Sequence, residues 1–568
     1  MSGVFLHRYG PALVSAIAVP LALPNELALL GNPLLGPVAF APLFLSIYRS
    51  RSYAQAAVAA VLFMVIATPL SYYWLLYFQD YALWTLGGTV LGYALFGALL
   101  GPMLRGVALA AGRLRPYAMA AAWTIYEFLK SSGFLGFPWG LAAHPVNAIT
   151  PLIQVTALTG VWGLSLLMAL VNAAVAEGVQ RPWRRQPVGT YLMVAALAIG
   201  ALGYGFLRLE VKATREPASG PTRPITVALI QHDHDPWPER NPIARHQAIS
   251  NSLRTLMRLT RRVLDEGDPD LVVWSETALV YQPVGDIDAE AYYEVTPDGD
   301  PLGPFLRGLN AHLITGAPYE VDPAAGEDSN ASFLIDPGAN GFDHYRKQQL
   351  VPFAEARPFW EVDIIRRFYG SIVGIGPGWI AGDHPTVFTV PTSNGHRVRL
   401  STPICFEDAF PALNRRFVRA GADLLVNLTN DSWSRTVSSE TQHLVAARFR
   451  SVETARPLLR ATNGGITAAF DVYGRMIPGS VLPPFTADAA LVTLHLPATP
   501  ATTPYTRFGD YLPAGLILAL LLLLTLRHRR LAESSIRCAP LRRASRRRAP
   551  GFSFPVEDRS RPRRGRGP

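Results

Sequence analysis

Three side chains in this chain could do acyl-transfer chemistry together: a lone cysteine, a lysine and a glutamate. Cys405 sits in Pro403-Ile404-Cys405-Phe406-Glu407-Asp408, after a strand-like run that starts at Val398 and just before a helix-like segment. The only other cysteine, Cys538, lies in a basic tail, so the long polar segment around Cys405 holds one thiol and no internal disulfide. Alone, Cys405 could be buried filler. Upstream, however, Glu276 closes the apolar run Val272-Val273-Trp274-Ser275-Glu276. Lys347 stands in Tyr345-Arg346-Lys347-Gln348-Gln349-Leu350-Val351-Pro352-Phe353. A thiol needs a base to become a nucleophile, and a tetrahedral intermediate needs a cation or N–H donors at its oxyanion. Glu, Cys and Lys supply these parts.

A chain of 568 residues is too long for one core, so two or more units are expected. Its hydrophobic share of 49% is high for a soluble protein. The net charge of +10 is no nucleic-acid signal, because Arg527 to Pro568 carries fourteen arginines against three acidic residues and leaves the rest near −1. That tail is also rich in Pro, Ser and Gly, which predicts a solvated, disordered, cytoplasmic segment able to touch anionic lipid.

The first 207 residues are mostly apolar, with seven candidate spans near 10–25, 28–47, 54–76, 83–104, 117–130, 155–176 and 189–207; an eighth runs from Leu512 to Leu526. A bilayer core needs about 20 residues per helix. The first span is not read as a cleaved signal because others follow it directly. Arg8, Arg49, Arg51, Arg113, Arg115, Arg181, Arg184, Arg185 and the tail all fall on one side if there are eight spans and both termini are cytoplasmic. The loop 130–149 and the stretch 210–508 then lie on the far face. This predicts four parts: a seven-span bundle over 1–209, a periplasmic catalytic domain over 210–508, an eighth span over 509–527 and the basic tail 528–568.

The outer segment reads as α/β. Strand-like runs occur at 225–230, 271–274, 312–317, 332–335, 398–404, 424–427, 465–470 and 491–496, with helical patterns at 244–264 and 440–454. Helices are expected to cover sheet faces. Pro/Gly-rich stretches at 216–224 and 497–504 read as linkers.

The ordered motifs around Glu276, Lys347 and Cys405 resemble the nitrilase (carbon–nitrogen hydrolase) superfamily, whose fold is a four-layer α-β-β-α sandwich. The chain from about 30 to 526 is further similar to the bacterial apolipoprotein N-acyltransferases, which carry such a domain before the last of eight membrane spans. The matching segments are Gly136-Phe137-Pro138-Trp139, Pro151-Leu152-Ile153-Gln154, Leu158-Thr159-Gly160-Val161-Trp162-Gly163, Asn430-Asp431-Ser432-Trp433, Arg460-Ala461-Thr462-Asn463-Gly464 and Thr503-Pro504-Tyr505-Thr506-Arg507-Phe508-Gly509. Departures are Ala354 and Gln349, where the family usually has Gly and His, the unusual hairpin Leu23-Pro24-Asn25-Glu26-Leu27, and the arginine tail.

The resemblance implies roles for individual residues. Glu276 would be the general base, Lys347 the oxyanion partner and Cys405 the nucleophile that carries an acyl thioester. The N–H of Phe406 would complete the oxyanion site. Glu355 and Glu407 would support it, each with a structural ion pair as the plainer alternative. Trp237 and Trp433 would border the acyl or lipid pocket, with core packing equally open to them. Arg460 and Asn463 read as well as core hydrogen-bonding residues. The implied partners are a phospholipid acyl donor, a diacylglyceryl-modified apolipoprotein acceptor and membrane lipid, with no nucleic acid. The implied location is the bacterial inner membrane, with the catalytic domain periplasmic. No metal-ligand spacing or phosphate-binding loop is present in the sequence, so no cofactor is expected.

Two readings compete. A membrane-tethered amidase or nitrilase acting on a small amide would share the triad but would not need the matched membrane motifs. A catalytically silent paralogue or receptor would be expected to lose at least one of the three groups. A transporter is disfavoured because Glu127 and Glu26 are the only clear ionisable residues within or beside the proposed spans.

Overall fold

The computed structural model describes residues 2–78, 82–185, 187–215, 222–237, 241–280, 302–367, 369–370 and 378–537. Residues 216–221 of the first linker, and 538–568 with Cys538 and most of the arginine tail, lie outside the described residues.

Long apolar runs in the first third form helices at Ser2–Ala22, Tyr53–Ser71, Ala82–Ala111, Arg115–Lys130, Val161–Gln180 and Val188–Arg215, and the last helix is Tyr511–Arg537. Among the described residues, five stretches are long and apolar enough to cross a membrane: Tyr53–Ser71, Ala82–Lys130, Val161–Gln180, Val188–Glu210 and Tyr511–Arg529. Their outward side chains are also apolar, with Leu91, Leu99, Leu192 and Leu518 all exposed, the pattern of helices solvated by lipid. The segment expected as one span over 28–47 is broken into Gly36–Ala39 and Ala41–Arg49. Gly31, Asn32 and Pro33 delay the helix, Pro42 separates its two pieces, and Asn172 repairs that second break by accepting from the N–H groups of Phe40 and Ala41 at 2.8 and 2.9 Å. The span expected over 155–176 starts later, at Val161, because Gly160 adopts a positive φ of 66°. Gly101 lets two helices touch, since a Cβ there would lie 2.2 Å from Ala56 O.

The outer domain holds eleven strands among the described residues: β1 Thr222–Gln231, β2 Leu271–Val273, β3 His312–Asp322, β4 Glu327–Ile335, β5 Phe342–Arg346, β6 Phe388–Pro391, β7 Arg397–Ser401, β8 Leu424–Thr429, β9 Leu458–Thr462, β10 Ala468–Phe470 and β11 Asp488–Pro497. They form two mixed sheets, ordered β11-β1-β2-β3-β4-β5 and β10-β9-β8-β7-β6. The side-chain period of two divides β1 between two cores. Ile225, Val227 and Leu229 join Leu400, Leu424 and Leu459 in the core between the sheets. Ala228 and Ile230 face outward with Leu256, Met257 and Val263 of the helix Pro242–Glu266. Helices Pro411–Ala420 and Val437–Thr454 flank the second sheet. The layers are therefore helix, sheet, sheet, helix.

Three strands were not expected from the sequence: β5, β6 and β9. The run expected over 398–404 ends at Ser401, because Pro403 has no N–H to give the ladder. The run 312–317 extends to Asp322 through its antiparallel partner β4.

The two halves share one apolar core that runs from Ala12 in the first helix to Leu496 in β11. The helix Val437–Thr454 is the spine of this junction and is buried along most of its length. Gln442 Nε2 donates to Pro24 O and Ser71 O at 3.1 and 3.0 Å. Glu26 accepts from Ser438 N and Oγ at 3.1 and 2.7 Å. Glu453 accepts from Val161 N at 2.7 Å, and Arg448 donates to Asn147 and Thr150. The unusual hairpin 23–27 is thus a docking element for the outer domain.

Candidate active site

Each candidate side chain leaves a strand end or the turn after one. Glu276 follows β2, where the chain crosses β3 so closely that a Cβ at Gly316 would lie 2.7 Å from Glu276 Cα. Lys347 follows β5 and is fully buried. Cys405 begins the short 3-10 turn Cys405–Ala409 with φ +48°. That left-handed conformation is costly for a residue with a Cβ and concentrates at functional sites. Two more such residues, Thr277 at +50° and Phe353 at +65°, sit beside Glu276 and Glu355.

The three groups converge. Lys347 Nζ donates to Glu276 Oε1 at 3.1 Å and to Glu355 Oε1 at 2.8 Å. Asn330 Nδ2, on β4, bridges the same two oxygens at 2.8 and 3.0 Å. Asn430 N holds Glu276 Oε2 at 2.9 Å, and Val351 N holds Glu355 Oε2 at 2.8 Å. Burial disfavours the ammonium of Lys347, but Glu276, Glu355 and Cys405 outweigh it and push its pKa well up. Lys347 therefore stays charged and cannot serve as the base. Burial pushes the Cys405 thiol well up, Glu276 adds to this, and Lys347 opposes both. At rest Cys405 is a neutral thiol, which could attack a carbonyl only if a neighbouring base took its proton.

Glu407 does not face this cluster as a fourth reactive group. Its Oε1 accepts from Gln348 N at 2.7 Å, Gln349 N at 2.9 Å and Tyr345 Oη at 2.9 Å. Its Oε2 accepts from Ile404 N at 2.8 Å. It ties the lysine loop to the cysteine turn. Burial pushes its carboxyl up to about 7 against the pull of those backbone donors. Asn427 Nδ2 secures the turn from below through Pro403 O and Cys405 O, both at 3.1 Å.

Phe406 is buried and stacks on Trp139, with ring centroids 5.4 Å apart and 17° between planes. Phe137 stacks on the Phe406 ring at 6.4 Å and on Trp139 at 5.1 Å. The membrane-half motif Gly136–Trp139 is therefore the floor under the cysteine turn. Trp237 and Trp433 pack on each other at 5.1 Å, edge to face, and Phe78 joins Trp237 at 6.3 Å. Asn463 donates to Asn430 Oδ1 and His234 O. Residues that sequence reasoning missed are Asn330, Asp408 and His443. Asn330 closes the polar run Glu327-Asp328-Ser329-Asn330, ahead of the strand expected over 332–335, and nothing local marked any of the three.

A strand-end carboxylate, a buried lysine and a thiol on a strained turn, carried by two facing mixed sheets, make this a domain of the carbon–nitrogen hydrolase type. The carbon–nitrogen hydrolase family matches residues 226–502. The family described as the apolipoprotein N-acyltransferase N-terminal domain matches residues 15–174. Apolipoprotein N-acyltransferase 2 of Treponema denticola is 32% identical over 91% of this chain and 97% of its own length. Its namesake in Treponema pallidum is 33% identical over 88% and 91%. Apolipoprotein N-acyltransferase of Borreliella burgdorferi is 31% identical over 88% and 92%. Among solved structures, an amidase from Nesterenkonia sp. is 17% identical over 50% of this chain and 94% of its own, with a TM-score of 0.32. The chain belongs to the apolipoprotein N-acyltransferase family.

Proposed function

We propose that the protein moves an acyl chain from a membrane phospholipid, through a Cys405 thioester, to the N-terminal amine of the lipid-modified cysteine of apolipoproteins. The observation that carries this is the buried Glu276–Lys347–Cys405 constellation in a chain that matches N-acyltransferases over both halves. In the first half-reaction Glu276 takes the thiol proton and the sulfur attacks the ester carbonyl. The oxyanion faces Lys347 Nζ and the N–H of Phe406. Collapse expels the lysophospholipid alkoxide, which leaves with the proton held by Glu276. In the second, the free α-amine attacks the thioester, Glu276 takes its proton, and the thiolate departs and is reprotonated. The product is an amide, and the kinetics are ping-pong.

Glu355 is assigned to hold Lys347 and the loop at Val351. Glu407 is assigned to hold the cysteine turn. Trp237 and Trp433 are assigned to the lipid-facing rim. A tethered amidase would not need the membrane-half aromatic floor beneath Phe406, so the acyltransferase is preferred.

The expected result on mixing purified protein with phospholipid is an acyl-mass adduct on the Cys405 peptide that hydroxylamine removes. Its absence under conditions of turnover would overturn the thioester route.

The domain division follows the same reading: bundle 1–209, periplasmic catalytic domain 210–508, last span 509–527 and cytoplasmic tail 528–568, in the inner membrane. Eight crossings are supported by where charged residues meet. Arg115 and Arg181 both pair with Glu177, Arg105 donates to Ser50 O, and Arg527 donates to Ala110 O. All lie in the helix halves remote from those that touch the outer domain. Reporter fusions at about 115, 183 and 540 should therefore all read cytoplasmic. A periplasmic signal at any one would remove the eight-span arrangement.

A further inference from the structure

Behind the cysteine turn, five ionisable side chains are shut away from water together. Asp408, Glu440 and Arg460 are fully buried, and Asp431 and His443 nearly so. They come from separate elements: Asp408 from the cysteine turn, Asp431 from the loop after β8, Arg460 from β9, and Glu440 and His443 from the helix Val437–Thr454. His443 is in the middle. Its Nε2 donates to Asp408 Oδ1 at 2.9 Å and its Nδ1 to Asp431 Oδ1 at 2.7 Å. Each ring nitrogen faces a carboxylate, so each carries a hydrogen and the ring is a cation. Burial opposes that charge, but Asp408 and Asp431 outweigh it and push the imidazole up to about 9. Arg460 closes the circuit, with Nη1 on Asp408 Oδ2 and Nη2 on Asp431 Oδ2, the second at 3.0 Å.

These four make two cations and two anions. Glu440 is the fifth group, and among the described residues no donor reaches either of its oxygens. Burial, and then Asp431, hold it well above the usual carboxylate range, with Arg460 and Arg435 opposing. A protonated Glu440 hydrogen-bonds Asp431, and in that form it adds no charge to the two cations and two anions.

Two links connect the cluster to the thiol, and the first runs past Thr429, whose Oγ1 donates to Asp431 Oδ1 at 3.2 Å. Asp431 lies near enough that its negative charge opposes ionisation of Cys405, alongside Glu276 and against Lys347. The residue before it, Asn430, holds Glu276 Oε2 at 2.9 Å. From the membrane half, the Trp139 ring lies 5.4 Å from the His443 ring.

We propose that His443 is a positioning residue for acyl transfer: as a doubly protonated ring clamped between Asp408 and Asp431, it fixes the cysteine turn and cancels the negative charge that Asp431 would otherwise set beside the Cys405 thiol. This rests on Cys405 as the reacting thiol. It adds an electrostatic setting for that thiol, supplied by a helix that the membrane half also grips.

The test is the rate of Cys405 alkylation by iodoacetamide against pH, in the full-length protein in detergent. Every variant carries Cys538→Ala, which leaves one thiol, and Glu440→Gln, which keeps that carboxyl from ionising in another's place. His443→Asn retains a donor to Asp431 and removes the charge. Alkylation near pH 8 should slow about tenfold, the effect of one uncompensated charge a few ångströms away. Asp431→Asn should speed it. The double variant His443→Asn/Asp431→Asn restores neutrality and should return within about twofold of the background. A purely structural role predicts the opposite for the double, which would then be worse than either single. Unchanged or faster alkylation in His443→Asn, or slower alkylation in Asp431→Asn, overturns the proposal. Should His443→Asn fail to fold, the signs for Asp431→Asn and the double decide it. Alkylation needs no acyl donor. A protein that shows these shifts but never forms the thioester keeps the electrostatic role and loses the acyltransferase route instead.

Discussion

Replacing Cys405 with alanine is expected to abolish both the acyl adduct and turnover, while Cys538→Ala leaves both near wild type. The thiol is the one group in the cluster able to carry an acyl chain: Glu276 and Glu355 are tied to Lys347, and Glu407 is occupied by backbone donors. Serine at 405 should fail as well. Burial and the adjacent Glu276 already push the thiol up, and a hydroxyl is far harder to ionise in the same place. Folding should survive Cys405→Ala, because the sulfur makes no ion pair and the turn is held by Asn427 and Glu407. Adduct mass and amide product measured side by side check this. More than a trace of turnover in Cys405→Ala would mean that the acyl group never rests on sulfur.

Lys347→Met is expected to slow both half-reactions by about a hundredfold or more, since losing one oxyanion donor costs about 2.7–4 kcal/mol. A second effect adds to it. The ammonium stands between Glu276 Oε1 at 3.1 Å and Glu355 Oε1 at 2.8 Å in a site with no water access to its side chain. Removing it leaves two carboxylates sharing the single amide of Asn330, and stranding a buried charge costs about 3–5 kcal/mol of stability. One carboxylate will then take up a proton, and if it is Glu276 the base is lost too. The double variant Lys347→Met/Glu355→Gln separates these effects. It should regain thermal stability, because one stranded charge is gone, without regaining rate, because the oxyanion still lacks its cation. A wild-type rate of adduct formation in Lys347→Met would sink the oxyanion assignment. Recovery of rate in the double variant would show that charge balance alone was at fault.

Two of the candidate groups, Glu276 and Cys405, stood out in the sequence because each follows a short strand-like run. Strands of three to ten residues end in loops, and loops are where side chains are free to point at a substrate. Glu276 after β2 and Cys405 after β7 follow that rule; Lys347 follows β5, whose sequence Phe342-Asp343-His344-Tyr345-Arg346 is mostly polar and did not read as a strand. The apolar helices were legible for a similar reason, since a segment solvated by lipid must be apolar on all sides. The stretch 28–47 shows the limit of that signal: it is apolar, but Gly31-Asn32-Pro33 and then Pro42 keep it from forming one long helix, and Asn172, 132 residues beyond Phe40, satisfies the backbone exposed at the second break.

What the tertiary structure alone decided is which polar residues belong together. Asn330 reads as the end of the polar run Glu327-Asp328-Ser329-Asn330, yet its amide bridges two carboxylates 54 and 25 residues away. Glu407, next but one to the cysteine, was expected either to support the site or to form a structural ion pair, and its backbone donors at Gln348 and Gln349 make it a brace. His443 and Asp408 carry no local signal, because the charge that makes each meaningful arrives from another element. Likewise Gly136–Trp139 was a motif without a purpose until its rings were found stacked under Phe406. A sequence records which groups are present and the period with which they repeat. It does not record long-range pairing, and buried charge and aromatic stacking take their energies from partners that only the packed fold brings within reach.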